Sequence, residues 1–134
     1  MISQSEVSKY IILAMLKSQK LIDQLQERFD PAIAGNHTIA YVFNVTGEEG
    51  GIWLLQIANK ACQFVLQQEL PEDPRIPCYI TIDTRDLEMI LDGRMTAMTA
   101  TLAGMLAVKG DMNLAMLLVP MFFESLKRTQ SVQS

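Results

Sequence analysis

MTAMTATLAGMLAVKGDMNLAMLLV, residues 95–119, decides how this chain is read. Its only charged side chains are Lys109 and Asp111. Three patterns follow one another. Residues 96–103 are small and apolar and read as a short helix, which Gly104 breaks. Residues 105–109 alternate apolar and small side chains with the period of a strand. Gly110-Asp111 turns the chain into a second helix. Asp111 is its expected N-cap, because the carboxylate accepts a bond from a helical N–H that has no partner within the helix. Along that helix Met112, Leu114, Ala115, Met116, Leu117, Leu118 and Val119 put apolar groups on every side. A helix facing one core needs one apolar stripe, and a helix apolar all round needs cover on all sides. The chain's own sheet supplies one cover. The other must be a partner, a neighbouring subunit or an apolar ligand.

The residues before this stretch supply the sheet. Ile39, Tyr41, Phe43 and Val45 alternate with Ala40, Val42 and Asn44 and predict a first strand. TGEEGG, residues 46–51, is a turn, and residues 52–58 return with Trp53, Leu55 and Ile57 on one face. Asn59-Lys60 makes a second tight turn. After it Cys62, Phe64 and Leu66 face one way while Gln63 and Gln67 face the other, which predicts an antiparallel meander with one wet face. Residues 69–77 are stiffened by Pro71, Pro74 and Pro77 and are expected to cross to the other end of the sheet. Tyr79, Ile80 and Ile82 then form a fourth strand, and residues 84–91 a short helix that ends at Gly93. Beyond the opening stretch, Pro120 lacks a backbone donor, so the last helix is expected to kink or restart there. Met121, Phe122, Phe123 and Leu126 continue an apolar face.

At the other end, Ser3 and Glu6 have capping-box spacing. Ile11, Met15, Ser18, Ile22, Leu25 and Phe29 recur at the spacing of one helical face. A helix over residues 6–29 is expected, closed by Pro31 and Gly35. Ile12, Leu13 and Leu16 widen the apolar coverage of its first half, which reads as an extra packing helix or as a dimerisation or partner helix.

Composition narrows the function classes. A chain of 134 residues fits one domain with a single sizeable core. With a net charge of −4 and no basic face, it has nothing with which to neutralise phosphates, so nucleic acid is not an expected partner. The apolar run over residues 115–123 is too short for a membrane span. The first residues lack the positive region of a secretory signal, and the last four, Ser-Val-Gln-Ser, are not a peroxisomal address. Cys62 and Cys78 have no metal spacing and are expected to be reduced core thiols of a cytoplasmic protein.

The signature helix–Gly–x–hydrophobic–x–Val108-Lys109-Gly110-Asp111-Met112–x–Leu114-Ala115-Met116 resembles the C-terminal signature of the sterol carrier protein-2 family. Upstream, Ile80-Thr-Ile-Asp-Thr-Arg-Asp-Leu-Glu-Met-Ile-Leu-Asp-Gly93 resembles that family's strand, short acidic helix and glycine. The resemblance spans about residues 21–118 and is densest over residues 79–118. It implies an α+β fold, a five-stranded and mostly antiparallel sheet covered on one face by helices, with an apolar tunnel between the layers and an extra N-terminal helix. The implied division is a helical extension over residues 1–20, a lipid-binding domain over residues 21–126 and a polar tail over residues 127–134. The implied function is non-enzymatic binding and transfer or presentation of a fatty acyl, sterol-like or isoprenoid molecule. Helical faces together with the resemblance give Leu87, Ile90, Leu91, Met98, Leu102, Leu114, Leu117, Leu118 and Met121 as the expected lining. The N-terminal extension and Pro120-Met-Phe-Phe123 depart from the family pattern, and these residues are positioned to occupy or gate a tunnel mouth. The alternative is a protein-interaction or accessory module of a lipid- or quinone-processing enzyme, with the same apolar helix as its partner surface. Expected partners are the apolar lipid, a membrane touched transiently and a second copy met through the N-terminal helix.

No residue set asks for catalysis, a metal or a cofactor. His37, the lone histidine, reads as a turn residue. Asp83 or Thr84 reads as an N-cap, and Asp86 as a favourable charge at the positive end of a helix dipole. The glycine-rich loop over residues 46–51 is acidic and lacks the lysine and following helix of a phosphate loop. Thr96, Thr99 and Thr101 are expected to bond back into their own helix rather than to a ligand headgroup. The methionines are more telling. Met89, Met95, Met98, Met105, Met112, Met116 and Met121 are seven of the nine and fall in the last third of the chain. A flexible, polarisable side chain suits a pocket that must adapt to aliphatic ligands of varied shape.

Overall fold

The computed structural model describes residues 16–123. Strands β1 (Ile39–Thr46), β2 (Gly51–Ala58), β3 (Ala61–Gln67), β4 (Cys78–Asp83) and β5 (Leu106–Gly110) form one sheet in the order β3-β2-β1-β4-β5. β1–β2, β2–β3 and β4–β5 are antiparallel, and β1–β4 is parallel. Asn59 and Lys60, at φ 53° and 61°, make the two-residue turn of the β2–β3 hairpin, whose twist matches that of the strands it joins. The proline-bearing segment then carries the chain across to the far side of β1, as its composition predicts.

Register decides which side chains meet. Phe43 lies opposite Trp53 on β2 and Ile80 on β4, Trp53 opposite Leu66 on β3, and Ile80 opposite Val108 on β5. Because side chains alternate along a strand, Tyr41, Phe43, Val45, Trp53, Leu55, Ile57, Cys78, Ile80 and Ile82 form one buried face. On the other face Gln56, Gln63, Ala107 and Lys109 are exposed.

Helices α1 (Lys17–Arg28), α2 (Pro31–Ala34), α3 (Thr84–Leu91), α4 (Ala97–Leu102) and α5 (Met112–Leu118) follow the sequence reading with one change. The first helix ends at Arg28, because Phe29 turns to ψ 129°. Pro31 does not close that helix; it opens α2. A proline at a first helical position gives up an N–H that would have had no partner. The Asp30 carboxylate caps α2 through the Ala32 N–H, and Gly35 at φ 55° ends it. Residues 1–15 and 124–134 lie outside the described residues. The Ser3–Glu6 capping box, the apolar side chains from Ile11 to Met15, the N-terminal dimer contact, Leu126 and the polar tail therefore lie outside them too.

The acidic β1–β2 turn has a packing role that the sequence did not disclose. Leu16 offers no side-chain cap to α1. The Glu49 carbonyl accepts instead from Ser18 N–H at 3.0 Å, and its carboxylate from Lys17 N–H at 3.3 Å. The Glu48 carbonyl accepts from the Thr84 hydroxyl at 3.1 Å, and Lys17 Nζ lies 3.3 Å from the Glu88 carboxylate. One turn thereby holds the first turns of α1 and α3 together.

The helical layer divides in two. Over β1, β2 and β3, Leu21, Ile22 and Leu25 of α1 pack with Phe122 into a closed core. The Phe122 ring lies tilted at 5.4 Å from Phe29 and edge-on at 5.9 Å from Phe64, and Phe64 lies edge-on at 6.1 Å from Phe43. Over β1, β4 and β5 the sheet instead faces α4 and α5 across open space.

Candidate functional site

That space is a cavity of about 560 Å³. Its floor is the sheet: Phe43 from β1, Ile80 and Ile82 from β4, Leu106 and Val108 from β5. Its walls are Leu87 and Ile90 of α3, then Thr96, Ala97, Met98 and Thr101 at α4. The remaining wall is Met112, Ala115, Met116, Leu118 and Val119 along the last helix, with Phe123 after it. None of these side chains is charged. The floor follows from strand register, and the walls follow from where three helices start.

Each wall is fixed by a cap. Asp83 accepts from Arg85 N–H at 2.9 Å and sets α3. The Thr96 hydroxyl accepts from Thr99 N–H at 3.0 Å and sets α4. Asp111 accepts from Leu114 N–H at 3.2 Å and sets α5. Gly110, at φ 107°, lets the chain pass against the Pro77 carbonyl where a Cβ would collide with it, and Asp111 N–H donates to that carbonyl at 2.8 Å. Behind the wall the Tyr41 hydroxyl donates to the Leu114 carbonyl at 2.8 Å. Burial raises this phenol well above its ordinary pKa, and Cys78 and Asp111 add to the effect. Burial, with Asp111 adding to it, pushes the Cys78 thiol up to about 11, and burial alone pushes Cys62 to about 11. These groups stay protonated and neutral at ordinary pH and serve packing.

After α5 the backbone widens into a π-helical turn, Val119–Phe123. Pro120 cannot donate to the preceding turn, and the wider turn is the kink that its position predicts. Met121 and Phe122 on this turn are buried in the core.

Of the lining expected from the sequence, Leu87, Ile90, Met98 and Leu118 meet at the cavity. Leu91 and Met121 are buried in the core, Leu114 and Leu117 pack against that core, and Leu102 is 81 % exposed. The last helix faces the cavity with Met112, Ala115, Met116 and Val119, whereas its 114/117/118/121 stripe mostly meets the core. The sheet floor was missed because strand alternation names a face without saying which helix, or which gap, lies above it. The i, i+4 pair Met112 and Met116 was the available signal, since methionine is over-used on adaptable apolar surfaces.

The cavity edge is itself apolar. Met98, Met112 and Met116 line the cavity and are 60 %, 49 % and 56 % exposed; Leu102 and Met105 are exposed large hydrophobics nearby in the chain. The helix that looked apolar all round is thus covered by the core on one side and left open on the other. The Thr101 hydroxyl bonds back to the Ala97 carbonyl at 2.8 Å. His37 is exposed in the turn after α2, its N–H on the Ala34 carbonyl. Among the described residues no group of three His, Cys, Asp or Glu side chains is placed to hold a metal ion. No described helix is long and apolar enough to cross a membrane.

Comparison with known proteins adds the following. The model of the SCP-2 sterol transfer family matches residues 19–123. Hydroxysteroid dehydrogenase-like protein 2 of Danio rerio is 32% identical over 81 residues, which make up 60% of this chain and 19% of that protein. The chain therefore spans about a fifth of the length of this curated relative. Sterol Carrier Protein 2 Like 2 from Aedes aegypti superposes with a TM-score of 0.60 at 17% identity, over 81% of this chain and 99% of its own. Sterol Carrier Protein-2 from Aedes aegypti, in complex with the C16 fatty acid palmitate, gives 0.56 at 24% identity, over 78% of this chain and 93% of its own. The sec-alkylsulfatase Pisa1 from Pseudomonas sp. gives 0.65 at 17% identity, over 81% of this chain and 16% of that one. At these identities the solved structures speak for a shared fold.

Proposed function

This chain belongs to the SCP-2 sterol transfer family, and we propose that it binds an apolar lipid between its sheet and helices and passes it to a membrane or an enzyme. The observation that carries this reading is a cavity of about 560 Å³ lined without a single charged side chain. At roughly 30 Å³ per water-sized group, it has room for about nineteen methylenes. Each buried methylene contributes about 0.8 kcal/mol, against a cost of several kcal/mol for immobilising the ligand. A chain of eight or more carbons then binds with a surplus. The palmitate complex of the Aedes aegypti protein supports an aliphatic chain as the ligand class. Few fixed polar groups line the site, so a fatty acyl, sterol-like or isoprenoid chain is accepted on shape and apolarity. Binding without reaction is part of the proposal, as are a cytoplasmic location and the division into residues 1–20, 21–126 and 127–134.

The exposed edge favours a second role for the same region. Met98, Leu102, Met105, Met112 and Met116 are apolar and open to solvent. In the zebrafish relative the similar stretch is part of a much longer protein. Presentation of the lipid to an enzyme or to a bilayer through this edge is therefore the second reading, and a second copy of the chain is a further candidate partner.

The test of binding is titration of delipidated protein with a neutral, environment-sensitive naphthylamine dye, followed by its displacement with a saturated ten-carbon chain. A saturable signal reversed by the chain is expected. A folded protein that gives no saturable signal up to the solubility limit refutes the proposal. Light scattering after size exclusion, beside the dye titration, separates both readings from a bare partner surface, which shows association and no dye binding.

A further inference from the structure

We propose that β3, the open edge of the sheet, docks a second copy of this chain, pairing antiparallel with the same strand of that copy about a two-fold axis at Phe64. The inference goes beyond lipid binding. It uses the end of the sheet away from the cavity, which lies over β1, β4 and β5.

β3 ends the strand order and pairs only with β2. The Asn59-Lys60 turn, with both residues at positive φ, makes Ala58 and Ala61 the hydrogen-bonded pair that closes the hairpin. Bonded and non-bonded pairs alternate along an antiparallel ladder. Ala61, Gln63, Val65 and Gln67 therefore commit their backbone groups to β2. Cys62, Phe64 and Leu66 turn theirs outward, and no described residue bonds to them. The side chains of these three face the core and are only half-buried. Proteins guard such an edge with a charge, a proline, a bulge or brevity. β3, ACQFVLQ, has none of these: it runs 7 residues in unbroken register, without a charged side chain or a proline. The opposite edge, β5, is 5 residues long and carries Lys109.

This edge is complementary to itself. An antiparallel copy centred on Phe64 sets all 7 residues of one strand against all 7 of the other. Phe64 meets Phe64, and Cys62 meets Leu66 of the second copy, each as a hydrogen-bonded pair, so every outward N–H finds a carbonyl. On the core side the six apolar side chains form one row. On the other side Gln63 stands opposite Val65 of the second copy, and no charges meet. Charge appears only beyond the strand ends, and there it is opposite in sign. The register brings Lys60 of one copy beside Gln68-Glu69 of the other, at both ends of the seam. Lys60 and Glu69 are exposed, and neither has an ion-pair partner among the described residues. A strand of one charge sign matches one end and opposes the other, whereas a second copy matches both. At about 3.4 Å per residue the seam is roughly 24 Å long and one strand spacing wide. That is well short of the roughly 800 Å² per partner of a standard stable interface, so the dimer is weak and reversible.

The experiment is sedimentation velocity of the full chain from about 10 µM to about 1 mM, the range in which a weak interface dissociates. A monomer–dimer equilibrium that stops at the dimer is expected, because pairing closes the edge. Gln63→Glu/Val65→Glu places carboxylates opposite one another across the seam and should weaken dimerisation at least about tenfold. Gln63→Lys/Val65→Lys should do the same. An equimolar mixture of the two should regain association at least as tight as the wild type. Lys60→Glu alone sets like charges together at both ends and should weaken the dimer by about 2- to 5-fold, and Lys60→Glu/Glu69→Lys should restore it. Dye affinity should be unchanged throughout, since the cavity lies over other strands.

A wild-type chain that stays monomeric over the whole range overturns the inference and leaves the lipid-binding reading standing. A dimer that ignores the acidic and basic variants while they remain folded overturns the placement at β3, because the copies then meet elsewhere. A mixture that fails to associate overturns the antiparallel register. Should the strand variants not fold, the Lys60 and Glu69 reversal on the turn and the loop decides the question by itself.

Discussion

Ala115→Trp separates the cavity from the core in one substitution. Ala115 sits on the cavity side of α5, half-buried, between Met112 and Val119 in the lining. Tryptophan adds nine heavy atoms, which at protein packing density occupy roughly 140 Å³. The cavity holds about 560 Å³, so about a quarter of it closes. A chain that fills the wild-type site then loses contact along about five methylenes, a ceiling of about 4 kcal/mol at roughly 0.8 kcal/mol each. Because a ligand can shift and leave its end in water, a loss of at least about 100-fold in affinity is the expected outcome. Stability should move the other way. The indole buries apolar surface in the cavity whose lining Ala115 shares, so the melting temperature should hold or rise. Dye titration and thermal unfolding of the same sample give both quantities. A stable, folded Ala115→Trp protein that binds ligand like the wild type refutes the assignment of this space as the binding site.

Three further outcomes test the packing. Ser18 is fully buried and its hydroxyl has no hydrogen-bond partner among the described residues. Ser18→Ala should therefore stabilise the fold by about 0.5–1 kcal/mol, since an unsatisfied hydroxyl is removed and helix propensity improves; a lower melting temperature contradicts this. Tyr41→Phe removes the bond to the Leu114 carbonyl that steadies the cavity's back wall, and should cost about 1–3 kcal/mol by denaturant unfolding. The Cys78 thiol, held at about 11 in the folded state against an ordinary value of 9.0, gives the sign of the alkaline response. The unfolded thiol loses its proton first, so its contribution to stability is complete below about pH 9 and falls as pH rises towards 11. Unfolding midpoints should drop over that window, and less steeply in Cys78→Ala; equal slopes contradict the assignment.

Most of the fold could be read from the residues because the local signals agree with the global one. Alternation in β1, β2 and β3, the Asn59-Lys60 turn, the three prolines before β4 and the Asp111 cap each point to the element that forms there. The boundary at Pro31 was less legible, because proline is a breaker inside a helix and a starter at its first position. Only the role of Asp30 as a cap separates the two. Of the cavity lining, only part was legible. Met98, Leu87, Ile90 and Leu118 were accessible as apolar positions on short helices. The last helix is apolar on all faces, so its pattern carried no phase. Choosing the 114/117/118/121 stripe or the 112/115/116/119 stripe required knowing where the Tyr41 hydroxyl anchors its backbone. The sheet floor required the parallel β1–β4 register, which no local pattern specifies.

The most direct measurement of the central claim is methyl NMR of protein labelled at the methionine methyl groups, titrated with 1-decanol after delipidation. Met98, Met112 and Met116 line the cavity, while Met121 is buried in the core and Met89 is not in the lining. The account predicts that the first three methyl signals shift together and saturate while those of Met89 and Met121 hold still. Saturable shifts confined to other methionines, or none at any attainable concentration in a folded sample, would contradict it.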